Sequence, residues 1–230
     1  MRMSRAVRMP ATATATALAL VVVAGCGSGG SAAQQGSGPS TTPTSTTYTS
    51  PPASLPAEQV ELSTANPPWL PPAVIDQGKN SAAYVAAAGL PYSEEMLEVH
   101  YHAHLDITAD GKKVTVPPYI GFVVKGDKAV GLAPLHTHQD DGIIHIENSV
   151  PATFTLGQFF IEWGVRLTSD CVGGLCAGNG KELAVYVDGQ RITGDPGSIV
   201  LKKHEEIAIE YGDTGKLPTP PSSYDFPSGL

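Results

Sequence analysis

The chain has 230 residues, of which 41% are hydrophobic and 16% are charged, and its formal net charge is −8 at pH 7. This length allows one or two folded domains. The acidic charge argues against nucleic acid and anionic lipid headgroups as partners, because both are bound through basic patches. It is compatible with cation binding, and equally with an exported protein that is kept soluble by charge repulsion.

Residues 1–25 have the features of a secretory signal peptide. Arg2, Arg5 and Arg8 form a basic start, and residues 11–24 are apolar or small. The apolar stretch is too short for a membrane span and is soon followed by polar residues. Removal of residues 1–25 leaves 11 basic and 22 acidic residues, so the mature chain would carry a net charge of −11.

The signal sequence ends in Val-Ala-Gly-Cys at residues 23–26, which resembles the lipobox of bacterial lipoprotein precursors. The resemblance covers residues 1–26 only. It implies that Cys26 becomes the lipid-modified N-terminus and that acyl chains anchor the protein on the extracytoplasmic face of the cell membrane. The alternative is an ordinary signal peptide followed by an incidental cysteine.

Residues 26–57 are predicted to be the lipidated Cys26 and a disordered tether, because a segment of Gly, Ser, Thr, Pro, Ala and Gln cannot bury enough surface to fold. Residues 58–98 are predicted to form an extended lead-in with a short helix, and Trp69 is expected to dock on the domain. The helix lies within residues 80–89, where Asn80 or Ser81 can cap its start and Gly89 can end it.

From residue 99 the apolar pattern changes to a period of two, which is typical of strands. A hairpin is predicted around Asp110 and Gly111, since Asp-Gly is a strong turn signal. The predicted strands cover residues 99–108, 113–117, 119–124, 183–187 and 199–211.

One central helix is predicted over residues 156–163, because Thr155 and Gln158 form a capping box. The fold of residues 99–213 is therefore predicted to be α+β, mainly antiparallel β-hairpins packed on this helix. Residues 155–211 resemble the second half of a β-grasp domain, in which a sheet wraps one helix. Residues 214–230 are predicted to be a disordered Pro/Ser tail.

Six of the seven histidines lie between residues 100 and 147. Residues two apart on a strand share a face. One row of side chains therefore comprises His100, His102, His104 and Asp106, and the apolar residues that alternate with them form the opposite face.

A second group of histidines flanks the turn Gln-Asp-Asp-Gly at residues 139–142. With a two-residue turn at Asp-Gly, His138 pairs with His145 across the hairpin. With a four-residue turn, His136 pairs with His145 instead. Both registers place the three imidazoles on the same side.

These two groups predict a transition-metal site. Neutral imidazole is a common ligand for zinc and copper, and three or four ligands must converge within about 2.0–2.1 Å of the ion. The predicted ligands are His102, His104, His136, His138 and His145, with His100, Asp106, Asp141 and Glu147 as possible partners of those ligands. The alternatives are a solvated histidine face, a proton-responsive patch or a site for an acidic ligand.

Cys171 and Cys176 are predicted to form a disulfide that pins an irregular loop between the helix and the next strand, because thiols oxidise outside the cytoplasm. The alternative is a Cu(I) site, since thiolates suit that ion.

Two pairs of sequence motifs are similar to motifs that recur together in uncharacterised His-rich exported proteins of bacteria and archaea. They are His-Thr-His at 136–138 with Gly-Ile-Ile-His-Ile-Glu at 142–147, and Thr-Leu-Gly-Gln-Phe-Phe at 155–160 with Trp-Gly at 163–164. The resemblance spans about residues 100–211 and implies no known activity.

The sequence favours a membrane-anchored extracytoplasmic lipoprotein that binds copper or zinc for sequestration, sensing or delivery. Copper is slightly favoured, because its affinity is highest in the usual series of divalent metals. One alternative is a metal-dependent exported hydrolase or oxidoreductase, with Glu147 or Asp141 as base. Another is a metal-free cell-surface interaction module. Nothing in the sequence identifies a protein partner.

Overall fold

The structure is a computed structural model that describes residues 46–48, 60–95 and 97–230, all of which belong to one unit of the chain. The predicted signal peptide, Cys26 and most of the predicted tether lie outside the described residues. Three residues of the tether segment, Thr46–Tyr48, form a strand.

Strands outnumber helices in the described part of the chain. The helices are α1 (Ser81–Ala87) and α2 (Leu156–Trp163), with short 3-10 helices at Ile75–Gly78 and Pro196–Ser198. The strands are β1 (Thr46–Tyr48), β2 (Val99–Ala109), β3 (Lys112–Val114), β4 (Phe122–Lys125), β5 (Lys128–Leu132), β6 (Leu135–His136), β7 (Ile143–Asn148), β8 (Cys171–Val172), β9 (Leu175–Cys176), β10 (Lys181–Val187), β11 (Gln190–Gly194) and β12 (Glu206–Asp213).

The main sheet of the described residues has eight strands in the order β1-β11-β10-β12-β2-β7-β6, with β3 paired to β2. Its strands pair antiparallel, except that β12 runs parallel to β2 and β1 runs parallel to β11. Separate hairpins are formed by β4 with β5 and by β8 with β9. A mixed α+β fold dominated by antiparallel pairing, with a short N-terminal helix, is thus confirmed. The β-grasp arrangement stays a prediction.

The hydrophobic core lies between α2 and one face of β2 and its neighbours. Ala103, Leu105 and Ile107 of β2 are fully buried, and they belong to one apolar cluster with Phe159 and Trp163 of α2. A fully buried large apolar side chain stabilises the fold by about 1.5–3 kcal/mol. Burial of this apolar row turns the alternate residues of β2, the histidines, to the opposite face.

Helix α2 has the predicted boundaries. The Thr155 hydroxyl accepts a hydrogen bond from the Gln158 backbone N–H at 3.3 Å, and the Gln158 side chain accepts one from the Thr155 N–H at 3.0 Å. Gly164 then ends the helix in the left-handed conformation, with φ of 74°, which glycine adopts without steric cost. Local signals therefore explain both ends of the helix.

The predicted disulfide between Cys171 and Cys176 is confirmed and closes the β8–β9 hairpin. At the hairpin tip Gly173 lies against Trp69, where an added Cβ would come within 2.5 Å of the indole. Trp69 is only 4% exposed and meets Trp163 edge-on, with ring centroids 5.7 Å apart. The predicted docking of Trp69 is also confirmed.

The predicted strand at residues 199–211 is wrong over its first part. Strand β12 begins at Glu206, because the chain turns at His204, whose φ is 60°. After β12, residues 214–230 contain no helix or strand. This segment was predicted to be disordered; in the structure Tyr224 stacks on His104 and Phe226 stacks on His204. Of the helices that the structure describes, none has the length and apolar character needed to cross a membrane.

Candidate metal centre

Three neighbouring strands bring histidines together on the sheet face opposite α2. His102 of β2 pairs with His145 of β7, and His145 pairs with His136 of β6. Because β7 lies between β2 and β6, the three imidazoles form a row across the strands. The register is the one expected from a four-residue turn. The other predicted register, with His138 opposite His145, is wrong.

Four donor residues converge beside this row. His136, His138, His145 and Glu147 each offer one nitrogen or oxygen atom, and these atoms all lie within 4.8 Å of one another. The Nε2 atoms of His136 and His138 are 3.2 Å apart. His136 and Glu147 are buried and His138 is exposed, so solvent reaches the group from one side. This group could hold a metal ion.

A second group of donors follows β2. The donor atoms of His100, His102 and His145 also lie within 4.8 Å of one another. His102 Nε2 is 3.1 Å from His100 Nε2 and 3.2 Å from His145 Nδ1. His145 therefore belongs to both groups. We refer to the two groups together as the Glu147 cluster, which consists of His100, His102, His136, His138, His145 and Glu147.

Glu147 lies among the histidine nitrogens of both groups. Its Oε1 is 3.3 Å from His100 Nε2, 3.5 Å from His145 Nδ1 and 3.8 Å from His136 Nε2. Its Oε2 is buried without a hydrogen-bond partner. An unsatisfied buried carboxylate oxygen is costly, and coordination of a cation is one arrangement that satisfies it. The donor set thus fits a metal ion.

Burial keeps the central imidazoles neutral. It lowers the pKa of His102 to about 4, and neighbouring His145 and His100 lower it further in the same direction. Burial likewise lowers the pKa of His136 to about 4. Burial alone would raise the pKa of Glu147, but the hydrogen bond with His145 and the nearby histidines hold it below its usual value. Neutral imidazole and ionised carboxylate are the forms that coordinate metals.

A cavity of about 260 Å³ adjoins the Glu147 cluster. Its wall includes His136 and Glu147 from the cluster, and Glu94 and Glu95 from the segment before β2. Phe122 of β4 faces His136 and His138 edge-on, with ring centroids 6.1 and 5.7 Å away. The cluster is therefore bordered by an aromatic ring and by an acidic cavity that a small ligand or hydrated cation could enter.

His104 lies outside the Glu147 cluster, although it is only two residues from His102. Its Nδ1 is 2.7 Å from Glu206 Oε2, and its Nε2 is 2.9 Å from the backbone oxygen of Asp141. Because that oxygen can only accept, Nε2 carries a proton, and a second proton lies between Nδ1 and Oε2. We refer to these residues as the His104–Glu206 pair. Both ring nitrogens of His104, a predicted metal ligand, are engaged in this arrangement.

The surroundings of His104 fit this closed arrangement. The ring of Tyr224 stacks on His104 with centroids 3.7 Å apart. On another side Gly142 has φ of 86°, and an added Cβ would lie 2.9 Å from His104 Nε2. Burial raises the pKa of Glu206, although the hydrogen bond with His104 opposes this shift. With Asp106 the pair forms a third set of donor atoms within 4.8 Å.

The structure brings most of the predicted site residues together. The predicted ligands that join the Glu147 cluster are His102, His136, His138 and His145. Two residues predicted as their partners, His100 and Glu147, belong to the same cluster. The remaining two carboxylates have other contacts: Asp106 accepts from Lys113 Nζ at 2.9 Å, and Asp141 Oδ1 accepts from the backbone N–H of Ile143 at 3.0 Å.

Glu206 was missed by the sequence analysis. It follows Lys-Lys-His-Glu at residues 202–205, which is typical of a charged turn. The alternation of Glu206, Ala208 and Glu210 with Ile207 and Ile209 is a signal for a polar strand face. The parallel pairing of β12 with β2, which puts Glu206 opposite His104, leaves no local signal in the sequence.

Similarity to known proteins adds nothing to this geometry. No protein family matches the chain. Comparisons with curated proteins and with solved structures give no match either. The side chains of the site are therefore what indicates a function for this chain.

Proposed function

We propose that this chain is an extracytoplasmic, membrane-anchored protein that binds a transition-metal ion, copper or zinc, through the Glu147 cluster. The observation that carries the proposal is the convergence of three imidazoles and one carboxylate, from His136, His138, His145 and Glu147, within 4.8 Å. Nitrogen and carboxylate oxygen donors in such a set suit zinc and copper better than magnesium or calcium, which prefer oxygen ligands alone.

Membrane anchoring belongs to the same proposal. The lipobox-like residues 23–26 support a lipid on Cys26, with the described residues held on the extracytoplasmic face. In such a location the ion would be sequestered, sensed or passed to another molecule. Exposed His138 and His100 at the rim of the cluster suit exchange of the ion with solvent or with an acceptor.

Titration of the untagged full chain tests the proposal. Zn²⁺ and, under anaerobic conditions, Cu⁺ are added, and binding is measured by calorimetry or by competition with a chelator. We expect at least one tightly bound ion per chain, and a loss of affinity of at least about 100-fold when His136, His138 and His145 are changed together to Ala. The matched control is His204→Ala, which removes the exposed seventh histidine outside the cluster. The proposal is wrong if the wild-type chain binds neither ion, or if the triple variant binds both ions as tightly as the wild type does.

The cavity beside the cluster favours a second candidate, a metal-dependent exported enzyme. Its wall contains His136 and Glu147, so a small substrate there would lie next to the ion. Catalysis requires an open coordination position, whereas storage is compatible with four protein ligands. Cobalt substitution separates these cases: a spectrum that changes on addition of small anions favours the enzyme, and a spectrum indifferent to them favours a closed binding site.

A further inference from the structure

We infer that the Glu147 cluster holds two transition-metal ions side by side, and not one. This inference rests on the proposed metal-binding function. The first ion lies among His136, His138 and Glu147. The second lies among His100, His102 and His145, whose Nδ1 is 3.2 Å from His102 Nε2.

The cluster has more donor residues than one ion needs. Five imidazoles and one carboxylate are more ligands than one four-coordinate ion can use. They divide into two sets, each with all its donor atoms within 4.8 Å. His145 is close to both sets, but its single lone pair coordinates only one ion. A single ion in the first set would leave His100 and His102 uncoordinated.

The distances within the second set are close to those of a tetrahedral metal site. In a tetrahedral site with metal–nitrogen distances of about 2.0–2.1 Å, neighbouring ligand atoms lie about 3.3–3.4 Å apart. His102 Nε2 lies 3.1 Å from His100 Nε2 and 3.2 Å from His145 Nδ1, close to those values.

Hydrogen bonding explains this second set poorly. An imidazole nitrogen carries either a proton or a lone pair, so His102 Nε2 cannot donate to one neighbour and accept from the other. A cation placed between the three nitrogens would use all three lone pairs at once.

Glu147 is placed to serve both ions. Its Oε1 lies 3.3 Å from His100 Nε2 in the second set and 3.8 Å from His136 Nε2 in the first. Its Oε2 is buried and has no hydrogen-bond partner. A carboxylate can bridge two ions with one oxygen on each, and the ions of two-metal sites lie about 3.5–4 Å apart. The second site includes the exposed His100, so we expect it to bind its ion more weakly than the first.

Stoichiometry tests this inference on the full chain. Zn²⁺ bound after equilibrium dialysis is measured by elemental analysis, and affinities are measured by calorimetry. We expect two ions for the wild-type chain and for His204→Ala, and one ion for His100→Ala with His102→Ala. In that double variant the affinity of the remaining ion should stay within about threefold, because the residues of the first site are unchanged. Because His102 is buried, His100→Ala is also tested alone. The His100 side chain is 36% exposed, and its removal should weaken binding of the second ion only.

Electron paramagnetic resonance of the Cu²⁺-loaded protein distinguishes adjacent ions from distant ones. Addition of the second equivalent of Cu²⁺ should reduce the signal per copper, because two adjacent ions couple magnetically. The double variant should keep the full signal of one uncoupled ion. One bound ion in the wild-type chain, unaffected by His100→Ala, overturns the inference and leaves the proposed function standing. Two ions that persist in the double variant overturn it as well, since the second ion would then lie elsewhere. No bound ion contradicts the proposed function itself.

Discussion

His102 and His104 are two residues apart on β2 and point to the same face of the sheet, yet they lie in different kinds of site. Both are almost fully buried, with 3% and 1% of their surfaces exposed. His102 lies opposite His145, and its Nε2 faces two other imidazoles. His104 lies opposite Glu206 on the other neighbouring strand, and both of its nitrogens have oxygen partners.

The difference teaches that burial and spacing do not identify a metal ligand in a strand. For His102 and His104 the residues across the ladder make the difference. His102 lies beside other imidazoles, and its lone pair remains available for a cation, whereas His104 has oxygen partners at both nitrogens and forms one half of a buried pair. The Glu147 cluster and the His104–Glu206 pair can be separated experimentally on this basis.

The largest expected effect is on the stability of the metal-free protein. His104→Ala leaves Glu206 buried without its partner, so we expect the free energy of unfolding to fall by about 3–5 kcal/mol. His102→Ala removes an imidazole whose Nε2 lies beside two other imidazoles, and we expect a loss of less than about 2 kcal/mol. Urea denaturation in the presence of a chelator measures both. Equal losses for the two variants would mean that the two regions do not differ as described.

Two buried carboxylates on the same face give the next comparison. Glu147→Gln should weaken zinc binding by about 100-fold, equivalent to about 2.8 kcal/mol, because it removes the one negative charge of the cluster. Glu206→Gln should leave the affinity within about twofold, since Glu206 contacts His104 outside the cluster. Competition with a fluorescent zinc chelator provides the measurement. A comparable loss in the Glu206 variant would place the His104–Glu206 pair in the metal site.

Glu210, on the polar face of β12, is a further buried carboxyl group that can be compared with Glu147 and Glu206. Burial raises its pKa to about 7, a hydrogen bond with Thr108 opposes the shift, and the charge of Asp106 adds to it. The folded protein therefore binds a proton that the unfolded chain loses near its ordinary pKa of 4.5. The contribution of Glu210 to the free energy of unfolding is fully present below pH 4.5 and is lost as the pH rises through about 7.

Glu210→Gln should remove that pH dependence. We expect the wild-type protein to lose on the order of 1–3 kcal/mol more stability than the variant between pH 5 and pH 8. Chemical denaturation of both proteins at the two pH values, without metal, measures the difference. Parallel profiles for wild type and variant would show that Glu210 is not the titrating group.

The smallest effect is expected at the C-terminal segment. Tyr224→Ala removes the ring that stacks on His104 and should lower the free energy of unfolding by about 0.5–1.5 kcal/mol. Metal affinity should not change, because Tyr224 covers the His104–Glu206 pair and not the Glu147 cluster. Thermal denaturation and zinc titration of the same sample measure both quantities. A large change in affinity would connect the C-terminal segment to the metal site.

Local features of the sequence predicted local structure well. The Thr155–Gln158 capping box and Gly164 define α2, because the hydrogen bonds at helix ends involve residues three or four apart. Asp110 and Gly111 adopt positive φ values between β2 and β3, as their hairpin requires. Cys171 and Cys176 are close in sequence and meet across a short hairpin.

Features that depend on distant parts of the chain were predicted less well. The turn residues 139–142 left two registers open for the β6–β7 hairpin, and the structure has the one with His136 opposite His145. Residues 199–205 were predicted to continue a strand, but the chain turns there and only then enters the sheet.

The sequence by itself determined that the six histidines can share sheet faces. Side chains two residues apart along a strand point to the same face, and this depends only on their position in the strand. The tertiary structure alone decided their neighbours. His104 and Glu206 are 102 residues apart, and they meet because β2 and β12 both bury an apolar row against the core that contains α2. Long-range burial of apolar surface selects the pairing of strands, and that pairing separates the Glu147 cluster from the His104–Glu206 pair.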